Sequence, residues 1–376
     1  MKSTNIPVKN PFPILDYISP EYFCDREAET GKIISALKNG RNITLLSIRR
    51  MGKTGLIKNV FHQLKRQKNL KLIYLDILKT ESLNDFIRIF ANELLKNENK
   101  SFLKKLSKLV AGIKGKIVFD EITGMPEIEI DYHSDHKESE KSLDKIFEYL
   151  AEQKEKYYIA IDEFQQIINY PEKNTEAILR TYIQAQHKDY FIFSGSSKHI
   201  LVSMFNDYGR PLYQSSDILN LERLDTEIYS NFIYKHFNSY NISISKELIL
   251  EYLNKLDIYT FYVQFFFNRL FSTGEKTITS ELAQKTLNDI IKEKEYVYIN
   301  YRNILSKMQY SVLMAIAKEN GVSKPNSSYF LRKYNFIQPS SVNKAIKALH
   351  DKEMIYKENN KIKVYDVFLS MWLKEY

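Results

Sequence analysis

The sequence predicts an α/β chain: a doubly wound parallel sheet, then a helical lid, then a C-terminal winged helix-turn-helix. Three stretches predict the sheet. The apolar run Ile43-Thr44-Leu45-Leu46 leads into Ser47-Ile48-Arg49-Arg50-Met51-Gly52-Lys53-Thr54 and then into the helical pattern Gly55-Leu56-Ile57-Lys58-Asn59-Val60-Phe61. A second run, Tyr157-Tyr158-Ile159-Ala160-Ile161, ends in the adjacent acids Asp162 and Glu163. A third, Tyr190-Phe191-Ile192-Phe193, stops at Ser194-Gly195-Ser196-Ser197. Strands covered on both faces read as unbroken apolar runs, and in a parallel sheet their polar ends collect at one edge.

The first stretch reads as a phosphate loop with one departure from Gly-x-x-x-x-Gly-Lys-Ser/Thr, since Ser47 stands at the first glycine; a plain strand-turn-helix with a chance Gly-Lys-Thr is the alternative. Strand, tight loop and helix in this order direct backbone N–H groups at a phosphate. Lys53 is then expected to reach the terminal phosphates of ATP, and the Thr54 hydroxyl to sit on Mg2+. Ser47, Arg49, Arg50, Met51, Gly52 and Gly55 complete the nucleotide-binding set. The two arginines either add attraction for a triphosphate or pair with acids of a neighbouring domain. At the acid-tipped strand, Asp162 is expected to hold Mg2+ through water and Glu163 to polarise the attacking water. Two carboxylates there need a cation or a solvent path. Ser196 or Ser197 either contacts the γ-phosphate or the lytic water, or merely ends a turn.

A chain of 376 residues exceeds the usual single-domain size. The expected division is 1–224 for the core, with an insertion at about 113–140, then 225–298 for the lid and 299–376 for the winged helix. Apolar residues make up 44%, enough for a substantial core. A net charge of +9 and a pI near 9.1 suit a polyanionic partner, although scattered lysines also serve as plain solvated surface. One cysteine, Cys24, excludes a disulfide framework and suits a reducing, cytoplasmic setting. Apolar stretches such as 261–267 are too short to span a bilayer, so no membrane is expected.

In chain order, prolines 11, 13 and 20 keep residues 1–22 irregular. A helix follows to about residue 38, with Asp25 as its N-cap. Phe23 and Arg26 are candidates for the base and ribose side of the nucleotide; a core anchor is the alternative for Phe23. Lys71-Leu72-Ile73-Tyr74-Leu75-Asp76 is the second strand, whose Asp76 either steers the site or caps the next helix. Helices are expected at 82–96, 102–111 and 142–153, with a hairpin or exposed insertion over 115–132. Beyond the acids come helices at about 174–186 and 199–205. A loop then carries Arg210, which either approaches a γ-phosphate, in cis or across a protomer interface, or forms a structural ion pair. The run Ile218-Leu219-Asn220-Leu221 closes a five-stranded core.

Residues 225–239, 246–256, 259–271 and 279–293 read as helices, with Ser245 and Ser280 as caps. The aromatic face of Tyr259, Phe261, Tyr262, Phe265, Phe266 and Phe267 reads as helix-bundle packing against the α/β core. Helices at 304–318, 326–333 and 340–352 precede the hairpin 353–365, the order of a winged helix. Ser341, Asn343, Lys344 and Lys347 then face a double-stranded DNA groove, unless the module docks a protein instead.

The box Phe23-Cys24-Asp25-Arg26-Glu27, the loop Arg49-Arg50-Met51-Gly52-Lys53-Thr54, Ile161-Asp162-Glu163-Phe164-Gln165 and the strand end Gly195-Ser196-Ser197 together resemble the archaeal-type ATPase group of the AAA+/STAND branch of P-loop NTPases. The resemblance covers nearly the whole chain. It implies Mg2+-dependent ATP binding and hydrolysis driving a conformational switch through lid and winged helix. An ATP-regulated DNA-binding protein and a nucleotide-binding scaffold with little turnover, docking a protein partner or a second copy, are the alternatives. Three positions depart from the group: Ser47, the Cys24-Asp25 pair, and Tyr259-Thr260-Phe261-Tyr262-Val263-Gln264, which lacks the proline of the group's Pro-aromatic-aromatic-x-Gln turn.

Overall fold

The computed structural model describes residues 10–96, 115–119, 126–130 and 136–375. They fall into two compact units, Leu15–Leu224 and Asp225–Tyr376, the latter joined by the N-terminal stretch up to Ile14. The segments read as lid and winged helix therefore share one unit.

In chain order the first unit contains α1 (Glu27–Lys38), β1 (Ile43–Leu46), α2 (Lys53–Leu64), β2 (Leu70–Asp76) and α3 (Leu83–Lys96). An antiparallel pair follows, β3 (Gly115–Phe119) and β4 (Pro126–Ile130), with Gly115 opposite Ile130. Then come α4 (His136–Glu152), β5 (Lys156–Asp162), a 3-10 turn (Phe164–Asn169), α5 (Thr175–Ala185), β6 (Tyr190–Gly195), α6 (Lys198–Asn206) and β7 (Asp217–Asn220). The expected helix at 102–111 lies outside the described residues, and α4 starts earlier than the expected 142.

Five strands form the predicted parallel sheet in the order β2-β5-β6-β1-β7. Strand β1 is buried at all its positions, and β5 at all but its first, as strands sheltered on both faces should be. The chain leaves β1 for the far edge at β2 and returns through β5 and β6, so a crevice opens at the carboxyl end of β1. Register aligns that edge, pairing Leu46 with Gly195 and Asp76 with Asp162. Helix α3 buries Leu83, Phe86, Ile87, Phe90, Ala91, Leu94 and Leu95, a stripe at helical spacing that joins the core with Ile73, Ile159 and Phe191.

Helix α1 is not capped by Asp25. Asp25 and Arg26 both have positive φ, 56° and 69°, so neither takes the extended backbone that aims a capping side chain at the first turn. Asp76 accepts from the Leu78 N–H at 3.0 Å and so caps a turn rather than the next helix, which starts only at Leu83.

The second unit opens with α7 (Thr226–Ser239), α8 (Lys246–Lys255), α9 (Thr260–Phe271) and α10 (Ser280–Ile304). Asp225 caps α7 and Ser245 caps α8. For α10 the cap is Thr279, one residue before the expected serine, because its extended backbone lets Oγ1 accept from the Leu282 N–H. Phe12, expected in an irregular stretch, is fully buried among Phe237, Phe267 and Phe271, and Asn268 donates to its carbonyl at 2.7 Å. Tyr259, Tyr262, Phe266 and Phe267 are buried within this unit, Tyr252 stacking on Phe266 at 4.4 Å.

The winged helix comprises α11 (Lys307–Lys318), α12 (Ser328–Lys333), α13 (Pro339–Asp351), the hairpin β8 (Ile355–Glu358) with β9 (Lys361–Val364), and α14 (Val367–Glu375). Asn359 and Asn360 turn the hairpin with positive φ at both positions, as a tight two-residue turn requires. Among the described residues no helix is long and apolar enough to cross a membrane.

Candidate nucleotide site

The carboxyl ends of β1, β5 and β6 bring the loop, the acids and the serines together. Gly52 enters α2 with φ 88°, a backbone that glycine adopts without strain, and this sets the first turn of the helix against the loop. Buried Met51 anchors the loop, while Arg49 and Arg50 lie exposed on its rim. Ser47 at the missing-glycine position works as a polar link. Its Oγ donates to the Ile48 carbonyl at 2.8 Å and accepts from Lys53 Nζ at 3.1 Å.

Lys53 is almost wholly buried, and its ammonium also donates to the Ile48 carbonyl at 3.4 Å. Burial pulls its pKa below the usual lysine value, and the charge of Arg49 pulls the same way. Asp162 and Glu163 push it back up, so the ammonium depends on these carboxylates.

Asp162, 4% exposed, is held by four donors. Oδ2 accepts from Thr54 Oγ1 and from the Tyr74 hydroxyl, each at 2.7 Å. Oδ1 accepts from Ser194 Oγ at 2.6 Å and from the Glu163 N–H at 3.1 Å. Glu163 follows with φ 57°, a left-handed turn that swings its carboxylate away from the strand. Its Oε2 accepts from the Ser196 N–H at 3.1 Å, from Ser196 Oγ at 2.8 Å and from Gln165 Nε2. Gly195 permits this approach: a Cβ there would lie 1.8 Å from Gln165 Oε1.

Phe23 packs on the loop helix, its ring 3.3 Å from where a Gly55 Cβ would stand, and Tyr17 meets it edge-on at 5.7 Å. Arg26 is buried, pairing with Glu29 at 2.7 Å and donating to the Glu222 carbonyl at 2.6 Å. Arg210 pairs with the buried Glu176 on α5, the ion-pair alternative raised by the sequence. On the winged helix, Lys344 and Lys347 are exposed, Ser341 is half-buried, and Asn343 accepts from Asn326 at 3.0 Å.

A sequence profile described as the ATPase domain predominantly from Archaea matches residues 23–256, more than half of the chain. The chain belongs to this family. A second profile, a probable winged helix domain, matches residues 296–375. No curated protein sequence matches. The chain is similar in structure to the Walker-type ATPase PABY2304 of Pyrococcus abyssi, with 19% identity, a TM-score of 0.66, and 97% of this chain and 99% of that one covered. It is also similar to the Aeropyrum pernix ORC2 protein, solved in ADPNP-ADP complexes, with 13% identity, a TM-score of 0.59, and 97% and 95% covered. The Aeropyrum pernix ORC1 protein in complex with DNA is a third, with 12% identity, a TM-score of 0.52, and 98% and 96% covered. At these identities the likeness establishes the fold.

Three polar residues of this ATPase domain escaped the sequence reading. Tyr74 looked like one more apolar strand position, Ser194 was passed over for Ser196, and Gln165 carried no role. Each acts across strands or around a turn. Only the parallel register, with Tyr74 opposite Ala160 and Ile192 opposite the same residue, puts Tyr74, Asp162 and Ser194 on one sheet face.

Proposed function

We propose that this ATPase domain binds ATP with Mg2+ at the β1–β5–β6 edge and hydrolyses it, and that the cycle switches the state of the helical and winged-helix unit. The bond between Thr54 Oγ1 and Asp162 Oδ2, at 2.7 Å, carries the reading. It joins a hydroxyl and a carboxylate into the hard oxygen set that suits Mg2+, which takes its other ligands from water and phosphates. Thr54 and Asp162 would hold the ion, which supplies neutralisation of phosphate charge. The loop N–H groups and Lys53 bind the phosphates, Ser196 meets the γ-phosphate, and Phe23 beside Gly55 bears on the base. Glu163 orients the attacking water and draws its proton, and Ser196 with Gln165 holds that carboxylate in line. A relative solved with ADPNP and ADP supports a nucleotide at such a site. Steady-state phosphate release tests the reading: Glu163→Gln should retain ATP binding and lose turnover, whereas unchanged turnover would remove Glu163 from the chemistry.

A second reading is favoured by one observation. Helix α13 exposes Lys344 and Lys347 on a chain of net charge +9, and a structural relative was solved on DNA. In this reading the winged helix contacts duplex DNA through Ser341, Asn343, Lys344 and Lys347, under control of the nucleotide. Duplex affinity should then fall steeply with salt and weaken when both lysines become alanine. Salt-independent or absent binding would leave α13 as a protein-docking or self-association face, which sizing with and without ATP would report.

A further inference from the structure

Tyr74 has no part in phosphate-loop chemistry, yet its hydroxyl donates to Asp162 Oδ2, the oxygen that also accepts from Thr54. Ser194 and the Glu163 N–H occupy Oδ1. A carboxylate offers about four lone-pair sites, so the chain's own donors fill Asp162. Two of them are fixed, and a third need not leave. Ser194 is wholly buried, the Glu163 donor is main chain, and Thr54 can keep its bond while presenting a lone pair to a cation. Tyr74 differs, being half-buried at the tip of a ring on β2, with the Lys58 ammonium 5.6 Å from the ring centre.

We infer that the Tyr74 hydroxyl stands in for cation-bound water on Asp162 Oδ2 and withdraws when Mg2+ and ATP are taken up, so that Tyr74 sets the Mg2+ concentration at which the site loads. The inference rests on the Mg2+–ATP reading above. Tyr74 acts through Asp162 and is a positioning residue, not a catalytic one.

Calorimetric titration of ATP into the full chain, across a series of free Mg2+ concentrations and in chelator, tests it. Tyr74→Phe keeps the ring and removes only the donor. Its half-saturating Mg2+ should fall about five-fold, the scale of one hydrogen bond that no longer has to break, and chelator should still abolish uptake. Ser194→Ala, which removes a donor from the other oxygen, should not lower the Mg2+ requirement. An equal or higher requirement in Tyr74→Phe, or the same fall in Ser194→Ala, overturns the inference. Absence of Mg2+-dependent uptake in the unaltered chain would instead bring down the reading on which it rests.

Discussion

Replacing Asp162 separates its structural work from its charge. In Asp162→Ala, the buried Ser194 hydroxyl and the Glu163 N–H lose their acceptor, while the half-buried Thr54 and Tyr74 hydroxyls can turn to water. Two stranded donors at roughly 1–3 kcal/mol each, about 4 kcal/mol together, less about 1–2 kcal/mol for the relief of removing a buried carboxylate, give a net loss of about 2–3 kcal/mol. In Asp162→Asn, the amide oxygen keeps Ser194 and the Glu163 N–H, and the amide nitrogen donates to two hydroxyls that rotate to accept it. Stability should stay within about 1 kcal/mol of the unaltered chain. The charge is gone all the same. Lys53 then loses one of the two carboxylates that oppose the effect of burial on its pKa, and Mg2+-dependent ATP uptake should vanish in both variants. Urea denaturation without nucleotide measures the first effect and titration calorimetry the second. An asparagine variant as unstable as the alanine one, or one with undiminished Mg2+ dependence, would mean that Asp162 does not divide its work between hydrogen bonds and charge in this way.

Gly195→Ala should force the Gln165 amide off Glu163, because the new Cβ would stand 1.8 Å from Gln165 Oε1 and 3.1 Å from Leu201. Phosphate release should fall about three- to ten-fold with ATP affinity nearly unchanged, at a stability cost of about 1 kcal/mol by denaturation. Asp189 is buried, with Oδ1 accepting from the Tyr157 N–H at 2.8 Å, and burial pushes its carboxyl from 3.8 up to about 6. The folded chain thus holds this proton more tightly than the unfolded one, so stability falls as pH rises from about 4 to 6 and then levels. Asp189→Asn should gain on the order of 2 kcal/mol in urea denaturation at pH 7.5 and little at pH 4. Arg210→Ala should leave Glu176 buried without its cation and lower stability by about 1–2 kcal/mol, less as pH falls, because burial already pushes that carboxyl above its ordinary value. ATP affinity should hold; a fall in affinity with stability intact would instead put Arg210 on the phosphate.

Much of the core was legible because its signals are local. Unbroken apolar runs gave β1, β5 and β6, each ending at the polar residues that now share an edge, and the Gly52-Lys53-Thr54 turn announced the loop. Contacts between distant residues were not legible. Arg26 reads as a candidate for the base and ribose side of the nucleotide, and only the fold brings the Glu222 carbonyl to it; Phe12 reads as loop until α7 and α9 close around it. Tyr74 is hidden for the same reason: a tyrosine among leucines and isoleucines fits a core strand, and only pairing with β5 turns its hydroxyl onto Asp162. Local errors were errors of backbone conformation. The positive φ at Asp25 and Arg26 denied α1 the expected cap, and the extended backbone of Thr279 took the cap that Ser280 was expected to supply.

The central claim is that Lys53, Thr54 and Asp162 grip a triphosphate together with its metal. Titration of ATP into the folded full chain, with Mg2+ and with chelator, tests it most directly beside Lys53→Ala. Uptake should require Mg2+ and weaken at least about ten-fold when the ammonium is lost. Uptake indifferent to Mg2+, or undiminished in Lys53→Ala, would contradict the claim.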